Sequence, residues 1–225
     1  MNAFFLDRLN SEPHALAFAG QSTPWPVALA DQSTNPVLDG ELHAHAAAAQ
    51  ALLYPVAADL LATTGRPVDL FGFEANPARL GDAASAAASV PGIALTQLGA
   101  LIDAAELGYN PAKAKPIAVL GHSQGVLAVH MVQAIEQAGS IAAATAQIDE
   151  ILAIATLIGV AGTRQARQLG LAARHGEATP MLSVKDITRA QVDTLIARVS
   201  GVHGPIAVAV ANSATHYVLS GYPED

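Results

Sequence analysis

Apolar positions recur at helical spacing through most of the chain and switch to alternation near its end. Ala15 to Ala19 is a first strand candidate, closed by Gly20-Gln21, after which Pro24, Pro26 and Pro36 mark an irregular lead into helices. The pattern predicts a helix from about Leu42 to Thr64, ended by Gly65-Arg66-Pro67. The alanine-rich stretches Ala44 to Ala51 and Ala83 to Ala88 are also read as helical. Val90-Pro91-Gly92 precedes a second long helix, Ile93 to Leu107, stopped by Gly108 and Pro111. Ile117-Ala118-Val119-Leu120 has the continuous apolarity of a strand buried on both faces. Gly121-His122-Ser123-Gln124-Gly125 follows, and then a helix from Val126 to Ala138, up to Gly139. Another helix is predicted from about Ile148 to Leu169, with Ile151, Leu152, Ala155, Ile158 and Gly162 on one face.

Beyond Gly176 to Pro180 the texture changes. Met181 to Lys185 alternates like a strand, and Thr188 with Gln191 forms a capping-box signature. The helix after it carries the stripe Val192, Leu195, Ile196 and Val199, and Ile206 to Val210 and Tyr217 to Leu219 are two more strands. This β-α-β-β order matches the opening of a ferredoxin-like lobe, whose full pattern needs one more helix and strand. Two domains are therefore expected: an α/β core over residues 1–178, with a parallel sheet, and an incomplete ferredoxin-like α+β lobe over residues 179–225.

Composition narrows the possible partners. Hydrophobic residues make up 52% and charged residues 13%, enough apolar material for a real core and too little charge for a disordered chain. A net charge of −8 without a basic cluster argues against nucleic acid and against an anionic membrane surface. With no cysteine there is no disulfide, thiolate metal site or Cys nucleophile. Asp7, Arg8 and Glu12 interrupt the apolar N-terminus, unlike a signal peptide. Apolar runs elsewhere are read as broken before the ~20 residues that a bilayer span needs. A soluble cytoplasmic protein is expected.

The candidate chemistry centres on Ser123. Gly121-His122-Ser123-Gln124-Gly125 fits G-x-S-x-G, in which a strand turns sharply into a helix and lifts the Ser hydroxyl clear of the sheet edge. Such a hydrolase-like core places a helix N-terminus, with its N–H groups and dipole, beside the developing oxyanion. A base is needed as well. His122 adjoins Ser123, but around the turn its side chain is expected to point away, as pocket wall or support. His130 lies about two helical turns further on, out of reach. His43 and His45, two apart on a helix, diverge and make a poor metal pair. His203 and His216 are placed in turns of the second lobe. None of these is an evident base.

The segment Val119-Leu120-Gly121-His122-Ser123-Gln124-Gly125-Val126-Leu127-Ala128 resembles the active-site motif of the acetyltransferase domain of type I fatty acid synthases. The likeness is strongest to the bacterial single-chain, actinobacterial type. Further motifs fall in order. Ala17-Phe18-Ala19-Gly20-Gln21-Ser22 is similar to the family's F-x-G-Q-G-S strand and loop, and Ser89-Val90-Pro91-Gly92-Ile93 through Gln97 to its S-x-P-x-I…Q helix start. Pro180-Met181-Leu182-Ser183-Val184 is similar to P-M-L-S-I, and Asn212 through Val218-Leu219-Ser220-Gly221 to N-G-x-x-x-x-V-V-S-G.

The resemblance implies residue roles. Ser123 is the acylated nucleophile, the backbone N–H groups of Gln21 and Gln124 form the oxyanion hole, and His122, Gln97, Ile158 and Asn212 contribute to substrate binding. Ser22 replaces the family's second loop glycine. The family's catalytic His follows the V-V-S-G strand, so the chain is expected to be the N-terminal part of such a domain, ending before its base. Malonyl-transferring relatives carry Arg-Gly where Ile158-Gly159 aligns. A carboxylate facing Ile would be penalised, so acetyl is favoured over malonyl. The implied reaction is acetyl transfer from acetyl-CoA to the phosphopantetheine thiol of an acyl carrier protein, alongside other domains of a fatty acid synthase. CoA is then a substrate, and no cofactor or metal is implied. Two other readings stay open. One is an α/β-hydrolase or thioesterase that completes a triad with Asp186 or Asp193 and His203 or His216. The other is a non-catalytic structural segment of a synthase.

Overall fold

A computed structural model describes residues 8–20, 24–62, 69–71, 85–168, 181–203 and 206–221. The chain is a helix-rich mixed α/β protein divided into two units, Met1–Gln165 and Ala166–Asp225. In the first, strand β1 (Ala15–Phe18) is followed by helices α1 (Trp25–Gln32), α2 (Pro36–Ala62), α3 (Ala86–Glu106) and the short α4 (Pro111–Ala114). Strand β2 (Ala118–Gly121), a 3-10 turn at Ser123–Gly125, α5 (Val126–Ala138), a second 3-10 turn and α6 (Thr145–Gln168) complete it. β1 and β2 pair in parallel, Ala15 opposite Ala118 and Phe18 opposite Gly121. Parallel pairing requires a long crossover, and the intervening helices supply it.

Helix α3 organises this unit. Almost every residue from Ala87 to Ala104 is buried, the state of a helix that is apolar on all sides. Packing also explains its start, which differs from the sequence expectation. The helix begins at Ala86 and takes Pro91 into its interior, instead of starting after Val90-Pro91-Gly92. A distant partner steadies the first turn: Ala87 N–H donates to Thr163 Oγ1 on α6 at 2.8 Å. Gly92 lets α1 approach, since a β-carbon there would lie 2.4 Å from Cε3 of the buried Trp25 ring. Leu42, Leu98, Met131, Ile135 and Ile148 extend the same core across α2, α3, α5 and α6.

Other boundaries follow local chemistry. Gly108 (φ +99) and Gly139 (φ +86) take left-handed turns just beyond α3 and α5, where both stops were predicted. α2 begins at Pro36, a residue suited to a first helical turn, and is broken at Ala57 (φ −139), two residues after Pro55. The helix predicted to end at Thr64 is described as far as Ala62, and Gly65-Arg66-Pro67 lies outside the described residues. By length and composition Ala86–Glu106 and Ala142–Gln165 could each cross a bilayer, so apolar segments here run longer than the sequence reading allowed. The first of them is mostly buried inside the protein.

The second unit is a separate three-stranded antiparallel sheet in the order β3-β5-β4, with β3 Met181–Lys185, β4 Ala207–Ser213 and β5 His216–Ser220. Helix α7 (Arg189–His203) joins β3 to β4 and places Val192 with Tyr217 and Leu219 in a small core. The capping box forms as the sequence indicates: Thr188 N–H donates to Gln191 Oε1 at 2.8 Å, and Gln191 N–H points back at Thr188 Oγ1 at 3.4 Å.

Candidate acyl-transfer site

Ser123 stands where β2 gives way to α5. The strand ends at Gly121, His122 is extended (φ −96, ψ 127), and Ser123 takes φ +54, a region costly for any residue with a β-carbon. A 3-10 turn over Ser123–Gly125 then feeds α5. Ser123 is exposed, so its hydroxyl is open to a substrate. His122 N–H donates to Phe18 O at 3.0 Å, which extends the parallel ladder one residue further, and Gly125 N–H closes the turn onto His122 O at 2.9 Å.

Glycine makes this turn sterically possible. A β-carbon on Gly125 would lie 2.3 Å from Phe18 O, and one on Gly121 would lie 2.5 Å from the Gly125 carbonyl. Gly20, just beyond β1, is equally constrained: its β-carbon would lie 2.8 Å from Ser123 Cβ and 3.4 Å from Gln124 N. The Gly20 backbone thus lies against Ser123 and close to the Gln124 nitrogen, where a side chain would not fit. The Gln124 N–H is at the start of a turn that runs into α5, where amide donors have no intrahelical partner and the dipole favours negative charge.

The other sequence-derived site residues are distributed as follows. Gln21 and Ser22 lie outside the described residues. Gln124 is half-buried, and its Oε1 has no partner among the described residues. Gln97 is buried on α3, where its Nε2 donates to Ala19 O at 2.6 Å. His122 is exposed. Ile158 is 52% exposed on α6, beside the exposed Ile154 and Leu157. Of the face expected to hold Ile151, Leu152, Ala155, Ile158 and Gly162, Leu152 and Ala155 are buried and Ile151 is half-buried, but Ile158 and Gly162 are exposed; further along the helix the buried side is Thr156, Gly159 and Thr163. Gly159 sets this side, because α6 presses on α3 there and a β-carbon would lie 2.3 Å from Ala86 O. Asn212, in the second unit, is exposed on β4 at a register shift between Ala211 and Ser213.

Among the described residues no histidine is hydrogen-bonded to Ser123. His14 bonds Glu12 O and the Tyr109 hydroxyl through its two ring nitrogens. His130 Nδ1 meets Gln133 Oε1 at 3.1 Å. His43 and His45 do diverge: His43 stacks on Phe71 beside Asp39, while His45, buried, meets Asp149 of α6 at 2.5 Å. That contact had no sequence signal, since its partners are more than a hundred residues apart. His203 ends α7 and His216 begins β5, so neither occupies the turn expected of it. His216 Nε2 is 2.9 Å from Ser183 Oγ, and Asp193 pairs with Arg189 at 2.8 Å. His175 lies outside the described residues.

The contact of Gln97 with the Ala19 carbonyl had no sequence signal, since every residue carries a backbone carbonyl.

Comparison with known families adds one match. The family model described as "SAT: Starter unit:ACP transacylase in aflatoxin biosynthesis" matches residues 72–224, more than half of the chain, with Ser123 and its flanking glycines inside the match. No curated protein sequence matches at the significance required.

Proposed function

The chain belongs to the starter unit:ACP transacylase family, and from that membership we propose that it moves an acyl group from a CoA thioester to an acyl carrier protein through an ester on Ser123. In the first step Ser123 Oγ attacks the thioester carbonyl, the C–S bond breaks, and CoA leaves as the thiol with the proton that the serine gave up. In the second the phosphopantetheine thiol attacks the ester, the C–O bond breaks, and the proton returns to Ser123. Both steps pass through an oxyanion, so one set of donors serves each. The Gln124 N–H is proposed as one donor and the Gln21 N–H as the other.

Finer assignments belong to the same proposal. The acyl group is acetyl, because Ile158 offers a carboxylate no cation. The carrier protein and the other domains of a fatty acid synthase are the partners, and priming of fatty acid synthesis is the role. Ser123 sits in a hydrolase-like nucleophile elbow, and the antiparallel unit is the opening of a ferredoxin-like lobe. The single observation that carries the reading is Ser123 itself: an exposed serine at φ +54, at the end of a parallel strand, with the Gly20 backbone close against it and the Gln124 nitrogen.

The test is intact mass after incubation with acetyl-CoA. One acetyl adduct is expected, absent in Ser123→Ala and discharged by added holo-acyl carrier protein. Turnover of simple esters with no acetyl adduct would replace transfer by hydrolysis, and neither product would leave a structural role.

A further inference from the structure

Among the described residues two chain segments reach Ser123: β2 with its turn, and the end of β1. The second leaves the ladder after Phe18. Phe18 O accepts from His122 N–H at 3.0 Å, but the next carbonyl, Ala19 O, has its partner outside the sheet, in Gln97 Nε2 on α3 at 2.6 Å. Because a carbonyl oxygen only accepts, this contact also fixes which way the Gln97 amide points. Gln97 Oε1 is buried with no partner among the described residues. An apolar side chain would avoid that unmet acceptor, so what the amide adds at this place is one donor aimed at Ala19 O.

Ala19 is one residue from Gly20, whose backbone lies against Ser123 and faces the Gln124 nitrogen. Ala19 O itself lies 2.9 Å from where a Gly125 β-carbon would be. Ala19 and Gly20 thus meet the Ser123 turn closely, and the Gln97 bond is applied one residue before Gly20. We propose that Gln97 is a positioning residue for acyl transfer: through Ala19 O it sets how closely Gly20 lies against Ser123 and the Gln124 nitrogen, and with it the space in which the oxyanion forms. The proposal rests on the acyl-transfer reading above. Transition-state donors lose most of their effect when displaced by a fraction of an ångström to an ångström, whereas binding of the CoA portion does not depend on them.

The test uses the full chain with Gln97→Met, which keeps length and removes the donor, and Gln97→Glu, which puts an acceptor against Ala19 O. Both are first checked for a cooperative melt. Single-turnover acetylation of Ser123 is expected to slow about 10- to 100-fold at saturating acetyl-CoA, with the half-saturating concentration changed less than about twofold. Relative to wild type at each pH, Gln97→Glu should regain rate as its carboxyl protonates and can donate, while Gln97→Met should not. Wild-type rates, a loss confined to half-saturation, or a deficit with the same pH profile in both variants would overturn the proposal. Hydrogen exchange gives a reading independent of chemistry. Peptides spanning Gly20 should exchange faster in Gln97→Met while those from residues 206–221 stay unchanged; equal exchange at Gly20 overturns it. If the wild-type chain takes no acetyl group, the acyl-transfer reading fails, and exchange alone decides whether Gln97 holds the loop.

Discussion

Gly121 and Gly125 meet across the turn that carries Ser123, so closely that a β-carbon on Gly121 would lie 2.5 Å from the carbonyl carbon and oxygen of Gly125. The obstacle is backbone, which cannot rotate aside as a side chain can. Gly121→Ala and Gly125→Ala are each expected to lower unfolding free energy by about 2–3 kcal/mol, as overpacking does. Gly40, in α2 with nothing within 4 Å of its β-carbon position, is the control. Gly40→Ala should stabilise by about 0.5–1 kcal/mol through helix propensity. Urea unfolding separates the two classes, and equal effects would mean that the turn is looser than described.

Strain at Ser123 gives a second expectation. With φ at +54 the side chain pays the left-handed penalty that glycine escapes. Ser123→Gly should raise stability by about 1 kcal/mol while removing any acyl adduct, a gain bought by loss of the hydroxyl. A drop in stability would show that the hydroxyl is a structural group and not an exposed one.

His45 and Asp149 join α2 to α6 with little exposure to solvent, 9% and 13% for the two side chains. Removing one partner leaves the other's polar group buried and unmatched. His45→Ala and Asp149→Ala should each cost about 2–4 kcal/mol, and the double variant should cost less than their sum by about 1–2 kcal/mol. A double-mutant cycle by chemical denaturation measures that coupling. Strict additivity would mean that the two side chains do not meet in solution.

What the sequence could say divides by range. The elements from β2 to Gly139 were legible because each signal is local: an apolar run, a glycine-flanked serine, a helical stripe and a glycine at the stop. The expectation that the run is buried on both faces was wrong, since β2 is half-buried to exposed, with Ile117 just before it at 74% and Leu120 at 59% exposure. The capping box of Thr188 and Gln191 was legible because its signal is local as well. The start of α3 was not, because its first turn is held by Thr163, and no rule about proline reveals a partner 76 residues away. Nor was the buried side of the later part of α6, where apolar residues on both sides of the helix left several stripes open until Gly159 found Ala86. Of the candidate site, the Ser123 turn could be read from spacing, whereas Gln21 and Gln124 as oxyanion donors came only from the family resemblance. The contact of Gln97 with Ala19 O could not be read, since its partner is a carbonyl, and carbonyls carry no sequence signal.

Tyr109 sets a pH limit. Burial, with a smaller contribution from Glu136, pushes its hydroxyl from 10.0 up to about 12. The unfolded chain therefore loses this proton before the folded one does, and binds fewer protons between those values. Its contribution to stability is complete below about pH 10 and is lost as pH rises to about 12. Tyr109→Phe should flatten that part of the stability profile in urea melts taken across the range. An unchanged slope would assign the alkaline loss to other groups.

Ile158 tests substrate choice without disturbing the fold. At 52% exposure it can be exchanged for arginine with no buried charge and a stability change within about 0.5 kcal/mol. If Ile158 faces the acyl group, Ile158→Arg supplies a partner for a malonyl carboxylate, and a partly solvated ion pair should raise malonyl over acetyl labelling about 3- to 10-fold. Leu157→Arg, one residue away and 37% exposed, places the same charge about 100° around the helix. A rise in Ile158→Arg alone means direct pairing with the substrate. An equal rise in both means only that positive charge draws an anionic thioester to this surface, and no rise in either removes Ile158 from the acyl pocket.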